Sequence, residues 1–118
     1  MPAAVESAVS AVVEEFNAAW NAHDLDAALA RTAPDAVFES TSPAPDGTRY
    51  VGLDAIRGAW SAIFDDLSSH FTVEDSMVSA DTVVQRWRYD WASGHVRGID
   101  LIVVRDGLVA QKIAYVKG

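Results

Sequence analysis

The chain ends in two apolar, β-rich runs, 99–104 and 108–116, joined by Arg105-Asp106-Gly107. No other stretch restricts the fold as much. Asp-Gly between such runs demands a tight hairpin, because glycine takes the positive φ of a short turn at no steric cost. Inside the first run stands Asp100, bracketed by Ile99 and Leu101. A carboxylate in a strand that otherwise reads as buried is costly unless something there uses or satisfies it. The search for chemistry therefore starts at Asp100.

The hairpin closes a longer series of strands. Residues 71–78, 82–91 and 96–104 have strand character, with turns near Ala80-Asp81 and Ser93-Gly94. The first half of the chain is helical instead. Val5, Val9, Val12, Phe16, Ala19 and Trp20 recur at helical spacing, which predicts an amphipathic helix of about five turns ending near Asn21. Asp24 can cap a short helix over 25–31, closed by Pro34-Asp35, and 36–40 reads as a strand. Residues 42–47, SPAPDG, form a loop by composition. A third helix follows, capped by Asp54, with Ile56, Trp60, Ile63, Phe64 and Leu67 on its buried side.

Helices first and a meander of strands last predicts an α+β fold, with about three N-terminal helices packed on one face of a mainly antiparallel sheet. Long strands twist and coil. The sheet is therefore expected to curve strongly around the first helix into a cone-shaped roll, leaving a cavity suited to a small molecule. At 118 residues, the expectation is one domain over 1–118.

Several function classes are excluded at this level. The net charge is −8 and the basic residues form no run, so neither nucleic acid nor an anionic membrane is an expected partner. With no cysteine there are no disulfides and no thiolate-held metal. His23, His70 and His95 lie far apart without metal-ligand spacing and read as exposed caps at element ends, so no metal is expected. No apolar run approaches the ~20 residues of a membrane span. The first sixteen residues include Glu6, Glu14 and Glu15 and no basic start, unlike a secretory leader, so a cytoplasmic location is expected.

Period-two counting places Ile102 and Val104 on the face of Asp100. On the preceding strand Gln85, Trp87, Tyr89 and Trp91 share one face, and Arg86, Arg88 and Asp90 the other. Three large rings belong inside, so the charged face is either solvated or a dimer surface. Trp60, Trp20, Phe16 and Phe38 can join the rings from other elements. The expected picture is one polar group, Asp100, at the base of an aromatic-lined cavity. Burial disfavours an ionised carboxylate, which suits a general base or a neutral donor to an oxyanion. The alternative is a structural Asp, paired with Arg97 or Arg88 or bonded to a neighbouring strand. Arg97 reaches the pocket only if Gly98 forms a bulge.

Three stretches, FNAAWNAHDLDAALARTAPDAVFES (16–40), GLDAIRGAWSAIF (52–64) and RGIDLIVVRDGLVAQKIAYVKG (97–118), carry a resemblance to the nuclear transport factor 2-like superfamily. Within it they resemble the SnoaL-like and ketosteroid-isomerase-like branch. The resemblance implies a cone of three helices over a bent sheet, and a homodimer formed through that sheet. Ketosteroid isomerases combine an Asp base, a helix Tyr and a protonated sheet Asp. Asp100 matches the sheet Asp, Phe16 stands at the Tyr position and Ser40 at the base position. The SnoaL-like polyketide cyclases, in which the sheet Asp is itself the acid/base, are nearer. The superfamily's epoxide hydrolases need an Asp on the last strand, where Ala114 or its neighbours stand here.

Together these imply a cofactor-independent lyase, isomerase or cyclase acting on an apolar cyclic or polyketide-like ligand. Asp100 shuttles a proton at an enolisable carbon, and Trp60 and Tyr89 donate hydrogen bonds to a carbonyl. Trp20, Phe38, Trp87, Trp91 and Ile102 form the wall. The alternatives are a non-catalytic domain that holds a hydrophobic ligand, and a dimerisation module.

Overall fold

The computed structural model of the chain describes residues 2–117. Three helices, α1 (Pro2–Asn21), α2 (Leu25–Ala30) and α3 (Leu53–Asp65), pack on six strands. The strands are β1 (Thr32–Glu39), β2 (Arg49–Val51), β3 (His70–Ser79), β4 (Thr82–Trp91), β5 (Gly94–Arg105) and β6 (Leu108–Val116). They form one curved, unclosed sheet in the order β2-β1-β6-β5-β4-β3. All neighbours are antiparallel except β1 and β6, which run parallel.

Each hairpin from β3 to β6 closes on a two-residue turn. Arg105 pairs with Leu108, and both central residues have positive φ, 55° at Asp106 and 75° at Gly107. That is the turn whose twist matches a right-handed hairpin. Trp91 pairs with Gly94 across Ala92-Ser93, one residue earlier than the sequence suggests.

Among the antiparallel pairs two positions depart from a regular ladder, and the second shapes the site. Val73 pairs with Trp87 but Asp75 with Arg86, leaving Glu74 as an extra residue in β3. Val103 pairs with Gln111 but Val104 with Val109, leaving Ala110 as an extra residue in β6. A bulge bends its strand and exchanges the faces of every residue beyond it.

Other differences from the sequence reading have local causes. β1 begins at Thr32 and runs through Pro34, which was expected to end α2. Proline is tolerated there because the β1–β6 register is interrupted between Thr32 and Val37, and β2 pairs only with Val37 to Glu39. Asp24 caps α2 by accepting from the Ala27 amide. Gly52, not Asp54, occupies the cap position of α3, with no side-chain cap. Leu67 lies past the end of α3 and is 78% exposed. His23 is not an exposed cap: its ring nitrogens lie 3.1 Å from the Phe64 carbonyl and 3.0 Å from that of Ser69.

The core gathers Val9, Val13 and Phe16 of α1 with Ile56, Trp60 and Phe64 of α3 and the inward residues of β1, β4, β5 and β6. At its centre Trp60 meets Phe16, Trp20 and Phe38 edge-on, with ring centroids 5.6, 5.0 and 5.6 Å away. Such contacts contribute about 0.5–1.5 kcal/mol each beyond burial. The Asn21 side chain at the end of α1 extends β3 like a strand partner. It donates to the Phe71 carbonyl at 2.6 Å and accepts from the Phe71 amide at 2.9 Å. This clamp ties the end of α1 to the edge strand β3.

Candidate functional site

Asp100 is completely buried, and it is not alone. Gln85, directly opposite on β4, donates from Nε2 to Asp100 Oδ2 at 3.1 Å. Lys112 Nζ donates to the same oxygen at 3.2 Å, from a residue only 7% exposed. Gln85 also exchanges hydrogen bonds with Asn17 of α1: Asn17 Nδ2 donates to Oε1 at 2.8 Å, and Nε2 donates back to Asn17 Oδ1 at 3.3 Å. The amide orientations follow from the carboxylate, which requires a donor and so fixes Gln85, which in turn fixes Asn17. Among the described residues Asp100 Oδ1 has no hydrogen-bond partner.

The bulge at Ala110 brings Lys112 here. Counting back from the Asp106-Gly107 turn through a regular ladder would set Lys112 opposite Leu101, on the other face from Asp100. With Ala110 as the extra residue, Lys112 pairs with Ile102 and Ala114 with Asp100. Lys112 and Asp100 thereby become diagonal neighbours on the inner face, within reach of a long side chain. On the other side β1 pairs Phe38 with Lys112. The ammonium lies 4.8 Å from the Trp20 ring centroid and 5.6 Å from that of Phe38. Both rings present attractive faces to a cation.

Above this chain of polar groups opens a cavity of about 300 Å³, at the lower end of the small-molecule range. Phe16, Asn17 and Trp20 of α1 and Ile63 of α3 line it, with Phe38 of β1 and Ser40, Thr41 and Ser42 following it. The sheet contributes Phe71, Trp87, Tyr89, Trp91, Val96, Lys112 and Ala114. Trp87 fits because Gly98 stands opposite it: a Cβ there would lie 2.5 Å from the Trp87 ring and 2.2 Å from the Tyr115 carbonyl oxygen.

A family model for the SnoaL-like domain matches residues 13–112. This chain belongs to the SnoaL-like family. Among solved structures, the SnoaL-like chain is similar to an NTF2-like protein of unknown function from Mesorhizobium loti. The two are 37% identical over 96% of this chain and 93% of that one, with a TM-score of 0.87. A candidate polyketide cyclase from Sinorhizobium meliloti is 26% identical over 87% of this chain and 92% of its own, with a TM-score of 0.76. A steroid delta-isomerase from Pseudomonas aeruginosa is 20% identical over 97% of this chain and 82% of its own, also with a TM-score of 0.76, a likeness of fold alone. No curated protein matches the chain.

In this SnoaL-like chain the residues singled out from sequence fall in three places. Phe16, Trp20, Phe38, Ser40, Trp87, Tyr89 and Trp91 line the cavity. Ser40 is engaged within its loop, its hydroxyl donating to the Ser42 carbonyl and accepting from the Thr48 amide. Trp60 and Ile102 stand behind the wall, 1% and 0% exposed, and neither lines the cavity. Asp100 lies beneath the wall, behind Lys112. Its cation is neither Arg97 nor Arg88. Arg97 points outward to Glu74 at 3.1 Å, because β4 and β5 pair without a bulge at Gly98, and Arg88 pairs with Asp90.

Lys112 and Asn17 were missed. Lys112 shows the same signal as Asp100, a charge inside the apolar run 108–116. No group of three or more metal-ligating side chains occurs among the described residues. No helix among them is long and apolar enough to cross a membrane.

Proposed function

We propose that this protein binds a compact apolar cyclic or polyketide-like ligand in the aromatic cavity. There it moves a proton on the ligand without a cofactor, as an isomerase, lyase or cyclase does. The observation that supports this reading best is the buried Lys112–Asp100 pair, with the lysine in the cavity wall. A ligand carbonyl set against the ammonium would have its developing enolate charge balanced by a fixed cation away from bulk water, usually the largest catalytic term. Asp100 does not line the cavity, so toward a ligand not joined to the protein its acid/base role runs through Lys112. The cyclase-named relative, 26% identical, favours a ring-forming reaction by analogy.

The test uses 2-tetralone, a small enolisable bicyclic ketone, and follows its α-proton exchange in D₂O by NMR. Wild type should accelerate exchange, and Asp100→Asn should abolish the acceleration while leaving affinity for the ketone. Unchanged exchange in Asp100→Asn would defeat the reading. A second reading, a non-catalytic binding domain, is favoured by the complete burial of Asp100 and its engagement by Gln85 and Lys112. It predicts ketone binding with no exchange above buffer in wild type.

We also infer a homodimer through the outer sheet face, where the cross-strand pair Ile99 and Tyr115 is 42% and 61% exposed. Light scattering should give twice the chain mass, falling to one chain in Tyr115→Glu.

A further inference from the structure

We infer that Lys112 is a nucleophile, and that the protein forms a reversible imine with an aldehyde or ketone held in the cavity. This rests on the reading of the cavity as a small-molecule site and goes beyond it, since hydrogen bonding to a carbonyl needs no covalent bond.

Three observations carry the inference. Lys112 places an amine in a wall otherwise built largely of rings, and it is buried although it lines the cavity. Among the described residues its ammonium touches a single carboxylate, and that carboxylate has a second oxygen with no hydrogen-bond partner. The chain holds two lysines, and the other, Lys117, is exposed beyond the end of β6.

An ammonium has no lone pair and cannot attack, so it must first give up a proton. Asp100 is positioned to take it. Burial in an apolar pocket is a recognised way to activate a lysine, and Asp100 is the acceptor its ammonium touches.

The ammonium proton passes to Asp100. The amine lone pair bonds to the carbonyl carbon, and the carbonyl π pair moves to oxygen. A proton shifts from nitrogen to that oxygen, giving a neutral carbinolamine. Asp100 returns its proton to the hydroxyl, the carbon–oxygen bond breaks, and water leaves as the nitrogen lone pair forms the iminium double bond. The iminium carries one positive charge where the ammonium carried one, so Asp100 ends as it began, an ionised partner to a cation. The Trp20 and Phe38 faces that hold the ammonium suit the iminium equally. Asp100 touches no substrate atom before that last proton return, and it is otherwise a positioning residue for the amine.

The test is reductive trapping. Wild-type protein is mixed with 2-naphthaldehyde and sodium cyanoborohydride, and adducts are assigned by intact mass and peptide mapping. Tryptophan fluorescence follows binding of the aldehyde in parallel. A carbonyl held against the amine should label Lys112 faster than Lys117 by on the order of 10²-fold. Asp100→Asn should slow labelling at Lys112 by on the order of 10²-fold and leave Lys117 unchanged, which a merely structural role for the carboxylate would not do. Labelling is compared between two sites in the native chain, so the result does not depend on a variant folding. Equal labelling of both lysines with the aldehyde bound overturns the inference and leaves the cavity reading standing. Ketone exchange without any trapped adduct overturns it in the same way. Absence of binding overturns both.

Discussion

Removing the ammonium from beside Asp100 should destabilise this fold more than removing both charges together. In Lys112→Met the fully buried carboxylate keeps only the Gln85 amide, because its Oδ1 already lacks a partner. With Nζ 3.2 Å from Oδ2, Coulomb's law at an effective dielectric of about 20 gives an attraction of about 5 kcal/mol. Part of this offsets the desolvation of the two ions. The expected loss is therefore about 3–5 kcal/mol, the range for stranding one partner of a buried pair. In Lys112→Met/Asp100→Asn no charge is stranded, and the Asn oxygen still accepts from Gln85. The double variant should recover about 1–3 kcal/mol relative to Lys112→Met. Urea unfolding measures both, with stability taken from the midpoint at constant slope. Should the double variant lose the sum of the two single losses to within about 0.5 kcal/mol, the two groups do not interact and the reasoning fails.

Two further substitutions probe the frame around the pair. Gly98→Ala forces a Cβ into the Trp87 ring and the Tyr115 carbonyl oxygen. It should destabilise by about 1–3 kcal/mol in urea and shift the tryptophan emission, since one obstacle is backbone and cannot rotate away. Asn21→Ala removes both hydrogen bonds to the Phe71 backbone. It should lower stability by about 1–3 kcal/mol and speed exchange of the Phe71 amide, whereas an unchanged exchange rate would show that α1 is not clamped there.

Much of the frame is legible in the sequence because it rests on local rules. The Asp106-Gly107 turn, the cap at Asp24, the amphipathic first helix and the alternation of β4 each follow from a few neighbouring residues. What escapes depends on distant pairing. The strand through Pro34 is tolerated only because its neighbours leave that proline unpaired, and the parallel partnership of β1 with β6 joins segments from opposite ends of the chain.

The site is the sharper case. Period-two counting finds Asp100, Gln85, Trp87, Tyr89 and Trp91 on one face, since β4 and β5 pair without interruption. The same counting fails on β6, where one extra residue, Ala110, exchanges the faces and delivers Lys112 to the carboxylate. Consecutive burial of Val109 and Ala110 marks the bulge in the structure, but alanine and valine carry no such mark in sequence. Trp60 stands behind the cavity wall, and the sequence could not show this for a different reason. A large ring on a helix face signals burial without saying whether it ends in the core or in a cavity wall, and here it is enclosed by Phe16, Trp20, Phe38 and Phe64.

The central claim is that Lys112, brought to Asp100 by the bulge, is the charged group a ligand meets in the aromatic cavity. Intermolecular NOEs between 2-tetralone and the labelled protein test it most directly. The account predicts contacts from the bound ketone to the Lys112 side-chain methylenes and to the rings of Trp20 and Phe38. Contacts confined to Ile99 and Tyr115 on the outer face of the sheet would contradict it.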